Sequence, residues 1–249
     1  MSGHSKWSQI KRQKGVNDTK RGAVFTKVAR EIMIAARSGG GDPDGNFRLR
    51  LAMEKARSVN MPQDNIKRAI ERATGLGEGE QIEEIVYEGY GPGGVAILVE
   101  AMTDNRNRTA ADVRSIFTKA GGQLAGTGAV AWQFEPRGLI AVATDGRDRD
   151  ELELTAIDAG ADDVEEAGDK IEVYTSPGDL ERVRKSLDAA GLQVESAENA
   201  MVAKTTVELD ENRARQNLRL VEALEDLDDV QRVTANFEIP EAIFAEVAG

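Results

Sequence analysis

"EIVYEGYGPGGVAILVE" (Glu84–Glu100) is where the chain changes period, and the change decides the fold class. Alternating apolar residues on either side of a Pro-Gly-Gly turn read as two antiparallel strands joined by a hairpin. Immediately after it, "RTAADVRSIFTKAGG" returns to helical spacing, with Ala110, Val113, Phe117 and Ala120 on one face and glycines at its end. "AVAWQF" (Ala129–Phe134) reads as a further strand. The next stretch runs strand "LIAVAT" (Leu139–Thr144), acidic helix to Ala159, short strand near Val164 and strand "IEVYT" (Ile171–Thr175). A helix through Leu180, Val183, Leu187 and Ala190 follows, and then a strand from Leu192. That βαββαβ order is ferredoxin-like, with helices layered on a sheet. The tail offers strand "TTVEL", a helix on Ala214, Leu218, Val221 and Leu224, and strand "RVTANF" (Arg232–Phe237).

Upstream of the hairpin the pattern is helical. Val24, Val28 and Ile32 recur at four-residue spacing between Lys20 and Arg37, and "SGGG" (Ser38–Gly41) supplies the stop. A second helix is expected from near Asn46 to about Val59, burying Phe47, Leu51, Ala52 and Ala56. Pro62 marks the first turn of a third, whose stripe is Ile66, Ala69, Ile70 and Ala73; "TGLGEGE" (Thr74–Glu80) is a linker. The expected class is α+β with three domains. Residues 1–78 form a basic arm and helical domain. Residues 79–135 with 204–249 form a discontinuous mixed domain, because one helix on one hairpin is a thin domain alone. Residues 136–203 form a ferredoxin-like domain inserted into it.

Charge divides the chain in the same place. Overall net charge is −12, yet residues 1–75 hold sixteen Lys and Arg against seven acids, leaving −21 on the remainder. Such asymmetry points to a polyanionic partner for the front of the molecule. There is no Cys, no stretch long and apolar enough to span a bilayer and no secretory pattern at the start, so a soluble cytoplasmic protein is expected. His4 is the only His, so no nucleophile–base pair of the Ser/His or Cys/His kind can be assembled on a folded scaffold. The glycines of "GYGPGGV" lead into a strand and lack the Lys-Ser/Thr of a phosphate loop. No catalytic residue, metal or cofactor is expected.

Candidate contacts with nucleic acid come from the arm, Lys6, Trp7, Lys11, Arg12, Lys14, Lys20 and Arg21, and from the helices, Lys27, Arg30, Lys67 and Arg68. Trp7 could stack on an unpaired base or cap the helical core. A second zone is "TDNRNRTAADVR" (Thr103–Arg114). Asn105 is placed to cap the helix, which puts Arg106 and Arg108 in its first turn, against the dipole. Either an anionic ligand such as phosphate meets them, or neighbouring acids such as Asp104 or Asp112 do.

"GHSKW", "FTKVAREIMIAARSGGGDPDGN", "NMPQDNIKRAIERATG" and "YEGYGPGGVAILVEAMTDNRNRTAADVR" resemble the YebC family, which includes bacterial proteins labelled transcriptional regulators and a mitochondrial translational activator of cytochrome oxidase. The likeness runs from Ser2 to the last strand and is tightest through residue 134. It implies a helical N-terminal domain and two mixed domains, nucleic-acid binding and, in the translational branch, action on stalled ribosomes. It also implies that Tyr90–Gly94 and Asn105–Arg108 form a second contact zone. The family commonly has Lys after "NMP"; here Gln63 stands there, so that cation is missing.

Two functions are then open. A monomeric translation factor contacting ribosomal RNA and relieving stalled elongation suits a basic arm with one stacking aromatic, since irregular RNA offers unpaired bases. The alternative is a DNA-binding transcriptional regulator, which usually presents a reading helix to the major groove. No helix-turn-helix pairing with a recognisable reading face stands out in the sequence, so the ribosomal reading is preferred.

Overall fold

The computed structural model describes residues 21–75 and 82–248. Among them the chain is α+β, a helical N-terminal region followed by two sheet domains, as the pattern predicts. Two compact units emerge, the described part of Val16–Val130 with Arg215–Val233, and Ala131–Ala214 with Thr234–Gly249.

The first unit opens with α1 (Arg21–Gly39), α2 (Phe47–Ser58) and α3 (Gln63–Thr74). Both shorter helices pack chiefly on α1. Val28, Ile32, Leu49, Ala56 and Ile66 are buried together with Ile82 and Met102 from the sheet. On α2 the inward face is rotated from the expected one, because Leu49 is fully buried while Phe47 and Leu51 are only half-buried. Phe47 instead lies under the Arg50 guanidinium, 5.4 Å from its ring centre.

Asn46 closes the α1–α2 turn. Its Oδ1 accepts from the Leu49 N–H at 3.0 Å and caps α2, while Nδ2 donates to the Ala35 and Gly40 carbonyls, each at 2.8 Å. A Cβ on Gly39 would sit 2.6 Å from that amide, which is why glycine stands there. Asn46→Ala removes a cap worth about 1 kcal/mol and strands a buried carbonyl, so a loss of about 2–3 kcal/mol is expected from the shift in urea midpoint. Asn46→Asp keeps the cap but not the donors and should fall between the two. Equal midpoints for all three proteins would contradict this account of the turn.

The hairpin forms as expected. β1 (Glu83–Gly91) pairs antiparallel with β2 (Val95–Thr103) around Pro92–Gly94, where Gly93 and Gly94 have φ of 83° and 79°. The helix α4 (Arg106–Lys119) and the short β3 (Gln123–Ala125) follow, and the sheet order is β3-β1-β2-β8, with β8 (Val230–Ala235) supplied by the tail. Gly89 is required where the Phe117 ring crosses β1, since a Cβ would lie 2.6 Å from it. The helix α7 (Glu211–Glu225) approaches the hairpin turn, its Asn217 Nδ2 donating to the Pro92 carbonyl at 2.8 Å.

The second unit contains β4 (Phe134–Ala143), α5 (Arg149–Asp158), β5 (Asp163–Glu166), β6 (Lys170–Thr175), α6 (Leu180–Ala189) and β7 (Val194–Ala203). Sheet order β5-β6-β4-β7 gives the expected ferredoxin-like arrangement. Pro136 is tolerated in the central strand because it precedes Gly138, where pairing with β6 begins. The core is Ile140 and Val142 on β4, Leu152 on α5, Ile171 and Val173 on β6, and Leu180, Val183 and Leu187 on α6.

Two expected strands are corrected. "AVAWQF" is not an independent strand: the N–H groups of Gly128 and Val130 donate to buried Glu88 at 2.6 and 2.7 Å instead of to a ladder. A single 3₁₀ turn, Ala131–Gln133, then leads directly into β4. "TTVEL" makes only one bridge, Val207 with Phe237, before Asp210 caps α7 through the Arg213 N–H at 2.9 Å. A last helix, α8 (Glu241–Ala248), was not anticipated.

Candidate nucleic-acid interface

Lys6, Trp7, Lys11, Arg12, Lys14 and Lys20 lie outside the described residues; Arg21 opens α1. The remaining candidates divide according to what their charges already touch.

Lys27 and Arg30 face the tail of their own unit. Lys27 Nζ donates to the Glu225 carbonyl at 2.5 Å, at the C-terminal end of α7, where the helix dipole favours a cation. Arg30 donates to the Asp228 carbonyl at 2.7 Å and pairs with the Asp229 carboxylate at 2.8 Å. Both serve as anchors between α1 and the segment that leads into β8.

Asp229 is the hub of that contact. Only 7% exposed, it also accepts from Thr109 at 2.6 Å, Arg108 at 2.9 Å and Thr103 at 3.2 Å. Burial pushes its carboxyl up, but the Thr109 hydroxyl, Arg108 and Arg30 outweigh burial and hold it below the ordinary range. The same contact, with the Asp104 carboxylate at 2.7 Å, raises the Arg108 guanidinium further above its ordinary value.

Arg106 and Arg108 turn to different partners at the α4 N-terminus. Asn105 caps the helix as expected, its Oδ1 accepting from the Arg108 N–H at 3.1 Å. The Arg108 side chain turns to the carboxylates of Asp104 and Asp229, whereas Arg106 is 69% exposed, with Glu83 at 3.7 Å. In the neighbouring zone Tyr90 donates to the Ala129 carbonyl at 2.9 Å.

Three exposed cations of the helical region stand on α3, beside others on α1 and α2 such as Arg37 and Arg57. Lys67 is 77% exposed, with Glu71 at a loose 3.8 Å. Arg68 is steadied by the Asp64 carbonyl and by Asn65 Oδ1, both at 3.1 Å, neither of them a charge. Arg72, not among the residues singled out by sequence, is exposed and makes no hydrogen bond or ion pair among the described residues. Its signal was the four-residue spacing from Arg68, which puts both on one face. Between α1 and α3 lies a groove of about 230 Å³ floored by Phe25, Met33 and Met61, with Arg68 and Arg72 on its wall. Such a groove has no sequence signature, because it depends on how two helices meet.

Among the described residues no group of three or more His, Asp or Glu could hold a metal, and no helix is long and apolar enough to cross a membrane.

Comparison with known proteins accounts for nearly the whole chain. Residues 5–76 match the family described as "TACO1/YebC protein N-terminal domain", and residues 82–237 match "TACO1/YebC second and third domain". A protein of Rubrobacter xylanophilus named "Probable transcriptional regulatory protein" is 55% identical, with both chains fully covered. One of Roseiflexus castenholzii with the same name is 58% identical over 96% of each chain. The crystal structure of a conserved hypothetical protein, Aq1575, from Aquifex aeolicus superposes with a TM-score of 0.85 at 48% identity, covering 90% of this chain and 93% of that one. Helical region, hairpin and ferredoxin-like sheet thus agree with sequence and structural kinship: the chain belongs to the TACO1/YebC family.

Proposed function

We propose that this protein is a non-enzymatic regulator of gene expression that binds nucleic acid through its basic N-terminal region, as a monomer in the cytoplasm. The observation that carries the proposal is the exposed face of α3, where Lys67, Arg68 and Arg72 stand together and neither arginine is paired with a carboxylate among the described residues. The two arginines can exchange water and counterions for phosphate without first breaking an ion pair to a described residue. By the charge of the sequence, Lys6, Lys11, Arg12, Lys14, Lys20 and Arg21 join this contact set, with Trp7 as a stacking group and Arg106 as an outlying contact. Lys27, Arg30 and Arg108 leave the contact set, because carbonyls and carboxylates of the fold already engage them. The three-domain division at residues 78, 135 and 203 remains part of the proposal.

Relatives named as transcriptional regulatory proteins favour DNA as the target. A second reading, a ribosome-associated translation factor contacting ribosomal RNA, is supported by the −21 charge beyond residue 75, which would repel a long duplex lying across it but could project from a cleft. Sucrose-gradient fractionation of a lysate at low and high salt, with gel shifts on promoter fragments, separates the two. Protein that stays at the top of the gradient and retards one promoter fragment specifically acts on DNA. Protein that sediments with ribosomes at low salt and leaves them at high salt, without promoter preference, acts on the ribosome. Protein that does neither contradicts both.

A further inference from the structure

The groove between α1 and α3 has a chemistry of its own. Phe25, Met33 and Met61 make an apolar, polarisable floor, and Ala29 and Ala69 leave the gap that larger residues would have closed. At about 230 Å³ it falls below the roughly 300 Å³ at which pockets for drug-sized ligands begin, and suits one flat ring. Thioether sulfur and aromatic carbon are good neighbours for such a ring. On the α3 wall stand Arg68, aimed by Asn65 and the Asp64 carbonyl, and Arg72, which has no partner among the described residues.

We propose that this groove receives one unstacked base of a single-stranded nucleic acid, whose adjoining phosphates lie on Arg68 and Arg72. The proposal rests on the nucleic-acid reading above and refines it. Charge decides the occupant: an apolar side chain of a protein partner would fill the floor but leave two guanidinium groups at its edge unanswered, whereas a nucleotide answers both. An unpaired base gains most from a site of this kind, because a duplex keeps its bases stacked on one another.

The test uses the full chain and labelled 20-residue oligonucleotides of one sequence, as single-stranded RNA, single-stranded DNA and duplex DNA. Thr26 lies exposed beside the floor, so Thr26→Trp fills the groove without removing a cation. It should weaken single-strand binding about tenfold, the effect of one lost base stack, and change duplex binding less than twofold. Arg72→Gln should weaken both. Thermal melts followed by circular dichroism establish that each variant is folded. A larger loss on RNA than on DNA would assign the groove to RNA, and equal losses to either strand. Unchanged single-strand affinity in folded Thr26→Trp overturns the proposal, as does an equal loss on duplex. A change of oligomeric state in that variant would assign the groove to a second copy instead. If the unaltered protein binds none of the three probes, the nucleic-acid reading itself falls.

Discussion

Asp229→Asn will destabilise the protein by about 3 kcal/mol at neutral pH, the scale expected when one partner of a buried ion-pair network is removed. The carboxylate answers two cations and two hydroxyls, Arg30 from α1, Arg108 from α4, and Thr103 and Thr109 beside it. Asn keeps the shape but cannot balance the guanidinium groups, and its amide N–H₂ would face donors. The pH dependence has a definite sign. Because the folded carboxyl is held below its ordinary value, the unfolded chain binds the proton first as pH falls. The contribution is complete above the unfolded value of about 4 and disappears as pH falls through the lower folded value. Urea midpoints should therefore differ widely between wild type and variant at pH 7 and draw together as pH falls below about 4. A constant difference across that range, or none at pH 7, would remove Asp229 from its place as hub.

Replacing Lys67, Arg68 and Arg72 together with Gln should weaken nucleic-acid binding roughly a hundredfold at moderate salt. It should also lower the slope of log affinity against log salt by about three, one for each lost phosphate contact. All three side chains are exposed, so the fold should survive. The informative contrast is Lys27→Gln with Arg30→Gln. Those changes remove as much charge per residue from the same helical region, but from groups held by the Glu225 and Asp228 carbonyls and the Asp229 carboxylate. They should reduce stability and leave the salt slope of the folded protein unchanged. If the second pair lowers the slope and the first set does not, the assignment of the two groups is reversed.

What could be read from the sequence was local. The Asn105 cap, the Gly93–Gly94 turn and the βαββαβ run depend on residues a few positions apart, and the structure bears them out. The helical stripe of α2 was misjudged for the same reason it was visible. Phe47 and Leu51 are apolar at the right spacing, but Leu49 is the one fully buried in the core, and Phe47 lies beneath Arg50 instead. "AVAWQF" alternates like a strand, yet Glu88, 42 residues upstream of Val130, takes that residue's backbone donor. At the site the distances are longer still. Lys27 and Arg30 read as candidate nucleic-acid contacts because their partners in the fold lie 198 residues away. For Arg108 the contact with Asp104 lay within local reach, but the one with Asp229, 121 residues on, did not. Arg72 differs from its neighbours by lacking a partner among the described residues, a property that no pattern of residue types records.

The central claim is that cations at the front of an acidic molecule grip a polyphosphate. It is met most directly by the affinity of the intact protein for a nucleic acid that binds it, measured between 50 and 200 mM salt. With about six phosphate contacts the dissociation constant should rise on the order of a thousandfold on duplex, and somewhat less on a single strand. A dissociation constant that stays level across that range would contradict the account.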